Sequence, residues 1–311
     1  MIAPRAFVID IGSNSIKCLV ASLAPNGSIE AIFQKTLETR ISTGIGSARP
    51  QLSDDAIAAG VHAVETLFAS AAPHGPFAHS VITATSAVRD AVNGQAFCDR
   101  VEAACGVRPR ILPGEEEARY ISQGIANDPN LGALGGSFTL LDIGGGSLEL
   151  IEMKNGAAAR VASLPLGAVR VAESLPGGSA IPILSPLQAD LEERVRQTVE
   201  SGWGRPSGPF VGAGGAFAVI LRLVLEKPLT DGPGRAAFLT TAELTALYKE
   251  LSSLGLEDRL VRYPKLPPTR ADIMPAALAV ILTVLRMGAA DRVHVSFFNL
   301  RFGLAADLLR G

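Results

Sequence analysis

Asp10-Ile11-Gly12-Ser13-Asn14-Ser15 and Asp142-Ile143-Gly144-Gly145-Gly146-Ser147 are two renderings of one sentence. Each places an Asp at the end of an apolar run, then a turn of glycines and small polar residues. Working outward, Phe7–Ile11 and Phe138–Ile143 read as strands entering the turn, and Ile16–Ser22 and Leu148–Met153 as strands leaving it. Third extended segments follow at Ser28–Arg40 and Ala158–Leu164. In the first half come a helix from Ser53, a strand at Val81–Thr85, a helix at Ala96–Cys105 and a strand at Val107–Leu112. Ser53 is the N-cap of the first helix, with Asp54 and Asp55 complementing its dipole. Pro113-Gly114 opens a helix led by Glu115, Glu116 and Glu117.

In the second half, capping boxes start helices at Ser185-Pro186-Leu187-Gln188 and at Thr240-x-x-Glu243. A strand at Pro209–Gly212 enters a further Gly turn and a helix over Phe217–Leu225. An apolar helix at Ile273–Met287, a strand at Arg292–Phe297 and a helix at Leu300–Leu309 close the chain. The pattern is a β-β-β-α-β-α motif used twice, unlike a βαβ series. It predicts an α/β protein of two similar lobes with a cleft between them, hinged near Asn127–Gly136. Ligand sites tend to form in such clefts.

Composition narrows the function classes. With 48% hydrophobic and 19% charged residues in a 311-residue chain, the sequence is not that of a disordered protein. A formal net charge of −2 leaves no global basic field for DNA, RNA or an anionic membrane. The apolar run Ile273–Leu285 falls short of the ~20 residues that span a bilayer. Cys18, Cys98 and Cys105 lack metal-ligand spacing and read as reduced thiols of a cytoplasmic protein. His62, His74, His79 and His294 form no ligand cluster.

Four segments carry chemistry. The paired turns let backbone N–H groups meet an anion, with Ser and Asn adding neutral donors, while Asp10 and Asp142 suit Mg²⁺. One such turn alone is better read as a plain hairpin. Two with matching Asp favour a cradle. In Gly114-Glu115-Glu116-Glu117-Ala118-Arg119, the acids either complement the helix dipole or supply a base that directs water. Spacing does not choose among the three. Arg89, in Thr85–Asp90, either binds phosphoryl oxygens or pairs with Asp90. Gly212-Ala213-Gly214-Gly215 could present helix N–H groups to a phosphate, with Gly214 in the turn.

These segments occur in the order found in the exopolyphosphatase / guanosine pentaphosphate phosphohydrolase (Ppx/GppA) family, which the chain resembles. That family sits within the actin-like ATPase and sugar kinase superfamily. Further matches are Leu166-Gly167-Ala168-Val169-Arg170 and Arg270-Ala271-Asp272. The resemblance implies two actin-like, ribonuclease H-like lobes, 1–126 with about 300–311 and then 127–299, without an HD-type domain. It implies Glu117 as the catalytic carboxylate, with Glu116 and Arg89 beside it. Ser13, Asn14, Ser15, Gly144, Gly145, Gly146, Ser147 and Gly214 would bind substrate phosphates. Asp10, Asp142 and Glu149 would hold Mg²⁺ or another divalent cation, and no organic cofactor is expected. Leu148 and Ala216 depart from the family, which usually has Thr there, and Phe297-Phe298-Asn299 replaces a more polar stretch.

The implied reaction is release of terminal phosphate from polyphosphate, held between the two Asp turns and attacked in line by water. A local track from Arg119, Arg170, Arg262, Lys265, Arg270 and Arg301 would hold the polyanion. The guanosine alarmone pppGpp is the alternative substrate. A non-catalytic ppGpp-binding protein and a superfamily kinase are the other readings. The family's short, single-module members favour polyphosphate. A homodimer is expected from the resemblance, and neither nucleic acid nor membrane is expected as a partner.

Overall fold

The computed structural model describes residues 3–176, 178, 180–183, 185–225 and 237–311. The chain divides into two compact units, unit 1 from Met1–Asn127 with Phe298–Gly311, and unit 2 from Asp128–Phe297.

In unit 1, β1 (Arg5–Ile11), β2 (Ser15–Leu23) and β3 (Ile29–Glu38) form an antiparallel meander. The chain then crosses by α1 (Asp54–Ala71) to β4 (His79–Ala84), which pairs parallel to β1. Two helices, α2 (Ser86–Asp90) and α3 (Gly94–Cys105), lead to β5 (Arg110–Ile111), parallel to β4, and α4 (Gly114–Ala126) follows. The sheet order is β3-β2-β1-β4-β5.

Unit 2 repeats this with β6 (Phe138–Ile143), β7 (Leu148–Lys154) and β8 (Ala157–Leu164). Then come α5 (Ala168–Glu173), α6 (Ser185–Gly202), β9 (Phe210–Ala213), α7 (Gly214–Leu225) and β10 (Ala237–Thr240). Helices α8 (Thr241–Ser253), α9 (Leu256–Arg262), α10 (Pro268–Ala271) and α11 (Met274–Met287) precede β11 (Arg292–Val295). The sheet runs β8-β7-β6-β9-β11-β10, which is the unit 1 order with one antiparallel edge strand added. The last helix, α12 (Leu300–Arg310), belongs to unit 1. The two-lobed α/β repeat expected from the paired Asp turns is the one observed.

Local chemistry explains most boundaries. The Ser53 side chain caps α1 by accepting from the Ala56 N–H, and Thr240 and Glu243 close a reciprocal capping box on α8. The Ser185 capping expectation falls on a side chain outside the described residues. Val107–Leu112 shortens to two paired residues, because Pro109 has no N–H to give a ladder. Thr85 leaves its strand to become the N-cap residue of α2. Helix α11 is apolar all round and buried along its length, as a core helix must be. The stretch Asp54–His74 has a mean hydropathy of 1.2 and would pass as a membrane span by length and composition. Its buried stripe of Ile57, Ala63, Val64 and Leu67 instead belongs to the unit 1 core, while Asp54, Asp55 and Glu65 are exposed.

Candidate active site

Strands β1, β4 and β5 run parallel, so their C-terminal ends open on one edge of the unit 1 sheet. From that edge spring the turn 12–15, the helix carrying Arg89 and the helix carrying Glu117. In unit 2 the ends of β6 and β9 likewise lead into the turn 144–147 and into α7. Open α/β sheets bind ligands outside the carboxyl ends of their strands.

The two turns are built alike. Ile11 pairs with Ile16 and Ile143 with Leu148, so each hairpin closes over four residues. Gly12 N–H donates to the Ser15 carbonyl at 3.2 Å, and Gly144 N–H to that of Ser147 at 3.0 Å. In the second turn, the Gly144 carbonyl accepts from Ala168 N–H at 2.9 Å, and that of Gly145 from Val169 and Arg170 N–H at 2.8 and 3.1 Å. The Gly146 carbonyl accepts from Arg170 Nε at 2.9 Å. In a trans peptide the C=O of one residue and the N–H of the next point in opposite directions. The N–H groups of Gly145, Gly146 and Ser147 are therefore turned away from α5. Successive N–H groups facing one way make an anion nest. Gly167 lets α5 approach: a Cβ there would stand 2.3 Å from Gly146 C and Ser147 N.

In the first turn, the Ser13 carbonyl accepts from Ser42 N–H at 3.2 Å, and the Asn14 carbonyl from Thr39 and Arg40 N–H at 3.2 and 3.0 Å. Asn14 and Ser15 N–H are turned outward by the same reasoning. The Asn14 side chain, expected as a phosphate donor, is engaged in the protein. Its Nδ2 donates to Glu38 at 2.8 Å and its Oδ1 accepts from Arg40 Nε at 3.1 Å. Ser13 and Ser15 are buried at the same turn, as is Ser147 at the other.

Arg89 and Glu117 come together. Arg89 Nη1 donates to Glu117 Oε2 at 2.8 Å and to the Leu112 carbonyl at 2.8 Å, and Nε lies 3.7 Å from Asp90. Of the two alternatives for Arg89, the pairing with Asp90 describes part of its surroundings, with Glu117 as the closer partner. Glu117 is buried, 7% exposed, on the inner face of α4. Glu116 is not beside them: one residue earlier, it stands on the outer face of the helix, where it pairs with Arg110 at 2.6 Å and Arg119 at 3.3 Å. Glu115 is exposed.

The acidic positions differ between units. Asp10 lies opposite Lys17 across β1 and β2, Nζ to Oδ2 4.0 Å, whereas Asp142 lies opposite Glu149 across β6 and β7. Glu149 is 2% exposed and accepts from Ser163 Oγ at 2.8 Å. Asp142 Oδ1 stands 2.2 Å from where a Gly214 Cβ would be; Gly214 has φ +88°, which only glycine adopts at little cost, and it begins α7. Among the described residues, no three His, Cys, Asp or Glu side chains form a ready-made metal cage. Mg²⁺ is content with one or two carboxylates plus water and phosphate oxygens, a donor set that Asp142 and Glu149 match. Asp10 fits it less directly, since its neighbours are cations, yet its buried Oδ1 has no hydrogen-bond partner in the protein.

Arg301 is one of those neighbours. It is 6% exposed and donates from Nη1 to the Cys18 carbonyl at 2.8 Å. Burial lowers its pKa, and the charges of Asp10 and Cys18 oppose that. Arg301 therefore belongs to the unit 1 interior and not to a surface track. Arg119 and Arg262 are exposed in pairs with Glu116 and Glu250, and the Arg270 guanidinium packs against Gly215 at the start of α7.

With two matched turns and an Arg–Glu pair at the ends of parallel strands, the comparisons with known proteins acquire a structural setting. The model of the Ppx/GppA phosphatase family matches residues 19–310. The chain belongs to that family. A guanosine-5'-triphosphate,3'-diphosphate pyrophosphatase of Photobacterium profundum is 27% identical over 317 residues, covering 99% of this chain and 60% of its own length. An uncharacterised protein of Streptomyces coelicolor is 29% identical over 96% of this chain and 89% of its own. This chain thus spans about three-fifths of the curated pyrophosphatase it matches. In fold, it is similar to an exopolyphosphatase from Cytophaga hutchinsonii, TM-score 0.86, 20% identity, covering 99% and 98% of the two chains. An Aquifex aeolicus Ppx/GppA family member gives TM-score 0.80 at 22% identity over 98% and 97%.

Set against the Ppx/GppA motifs, four side chains at the site escaped sequence reasoning: Lys17, Glu38, Arg40 and Ser163. Their cross-strand and loop-to-turn partners lie far along the chain or across a strand pair. Only Lys17 had a local signal, since strand alternation places it opposite Asp10.

Proposed function

We propose that the chain hydrolyses a terminal phosphoanhydride bond, releasing orthophosphate from inorganic polyphosphate. The observation that carries this reading is the Arg89–Glu117 pair, 2.8 Å, half-buried at Arg89 and buried at Glu117, at the same strand-end edge as a turn whose N–H groups face outward. Phosphoryl transfer needs positioning and charge stabilisation more than covalent chemistry. In this reading the turns 12–15 and 144–147 receive phosphate oxygens through backbone N–H groups, and Arg89 neutralises charge as it develops. Glu117 orients water and takes its proton, in a position fixed by Arg89. Glu116, on the outer face, has no part in the step. Asp142 and Glu149 would hold Mg²⁺, and Asp10, whose Oδ1 has no partner in the protein, is a further carboxylate suited to a cation. When bound, the ion would supply Lewis-acid neutralisation of phosphate oxygens.

A second reading, removal of the 5'-terminal phosphate of pppGpp, is favoured by the name of the Photobacterium relative. Both use the same residues. The test is phosphate release with Mg²⁺ from long-chain polyphosphate and from pppGpp, for the wild type and Glu117→Gln. Loss of a general base costs about 10²–10⁴ in rate, so the variant should lose turnover by that factor while binding substrate nearly as before. A variant within a few-fold of wild type would remove Glu117 from the chemistry. Preference for pppGpp would move the substrate to the alarmone.

A further inference from the structure

The geometry points to Arg40 and Arg170 as a matched pair of positioning residues, one behind each turn, that hold the third residue of the turn in place. The inference rests on the reading of the two turns as phosphate cradles. The turns correspond residue by residue, Gly12 with Gly144 and Asn14 with Gly146, because the flanking strand registers are the same. The segment after the third strand of each meander folds back behind its turn. In each unit an arginine of that segment places Nε on the third residue of the turn. Arg170 Nε donates to the Gly146 carbonyl at 2.9 Å, and Arg40 Nε to Asn14 Oδ1 at 3.1 Å.

Each also uses its own backbone N–H on the same turn, Arg170 on Gly145 O at 3.1 Å and Arg40 on Asn14 O at 3.0 Å. Two donors of one residue thus hold two acceptors: in unit 2 the neighbouring carbonyls of Gly145 and Gly146, in unit 1 the carbonyl and the side-chain Oδ1 of Asn14. The conformation of Arg40 shows the demand. It is one of three non-glycine residues with positive φ, at 42°, among the described residues. That region is unfavourable for a side chain with a Cβ and persists where surrounding bonds impose it. In unit 2 the close approach falls on Gly167 instead, so Arg170 needs no such strain.

The role differs from that of an arginine that meets phosphate itself. A direct contact brings its charge to the anion, so removing that charge in the methionine variant would lower the salt dependence of binding. The Nε bond depends on a planar fork at fixed reach, which lysine lacks. The experiment is calorimetric titration of the full chain with tripolyphosphate, for wild type, Arg40→Lys, Arg170→Lys, Arg40→Met and Arg170→Met, at two salt concentrations. Phosphate release and Tm are followed in parallel.

The expected result is that Lys weakens binding as much as Met at each position, by about tenfold, the worth of one such bond. The salt dependence should stay near that of the wild type. Lysine variants that bind like wild type overturn the inference, as does normal binding with only a lowered Tm. If a methionine variant fails to fold, the lysine variants decide. If the wild type binds tripolyphosphate but releases no phosphate, hydrolysis is refuted while the lysine comparison still decides the positioning role. If the wild type binds no tripolyphosphate, the cradle reading and this inference both fall.

Discussion

Gly167→Ala tests how the second turn is held. A Cβ at residue 167 would stand 2.3 Å from Gly146 C and Ser147 N and 2.4 Å from Gly145 C, all backbone atoms. No side-chain rotation relieves this. To reach ordinary contact distance, the turn and the start of α5 must separate by about 1 Å, and a misplacement of that size can cost ~100-fold in rate. Overpacking of this kind also costs about 1–3 kcal/mol, and for a unit of this size Tm falls by roughly 2–4 °C per kcal/mol. The internal control is Gly144→Ala, inside the motif itself, where the new Cβ would stand 3.5 Å from Ser147 O, an ordinary contact. Thermal unfolding, tripolyphosphate titration and phosphate release should show Gly167→Ala impaired in all three. Gly144→Ala should keep the wild-type Tm. A Gly167→Ala variant with wild-type Tm and wild-type anion affinity would refute the close buttressing of the turn by α5.

Two further outcomes follow from other parts of the fold. Gly303→Ala should displace α4, because its Cβ would stand 1.8 Å from the Tyr120 carbonyl, and Gly124 meets Asn299 at the same helix crossing. Phosphate release should drop with Tm, since Glu117 rides on α4, and an unchanged Tm would contradict so tight a crossing. His294 has its pKa lowered from 6.5 by burial, with the Arg292 charge adding to the effect. The folded state therefore holds the proton less well than the unfolded state, so this contribution is present above about pH 6.5. It is lost as pH falls through the lower folded value. Urea melts across pH 7 to 5 should show that slope, reduced in His294→Asn; equal slopes would exclude His294 as its source.

Much of the fold was legible because its signals are local. A cap at Ser53, the capping box at Thr240, and strand alternation around each Asp turn act within a few residues. Their consequence, the repeated meander, could be read without distances. The strand Arg110–Ile111 came out shorter than expected, since Pro109 has no N–H to give a ladder. The site was legible only in part. Asn14 reads as a free donor in sequence, but Glu38 and Arg40 occupy both ends of its amide. Glu116 and Glu117 are neighbours in the chain and stand on different faces of α4. Arg301 reads as a surface cation and is buried beneath Cys18 and Asp10.

What the sequence by itself determined is the repeat, the two Asp turns and the family, because order and spacing along the chain are enough to specify them. Only the tertiary structure decided which groups face outward. A peptide plane is aimed by its hydrogen-bond partner, and for the turn 144–147 those partners are Ala168, Val169 and Arg170, delivered by the strand that runs back along β7. The surroundings of each Asp were likewise decided by distant chain, since Arg301 of the last helix lies near Asp10 and Gly214 of α7 against Asp142.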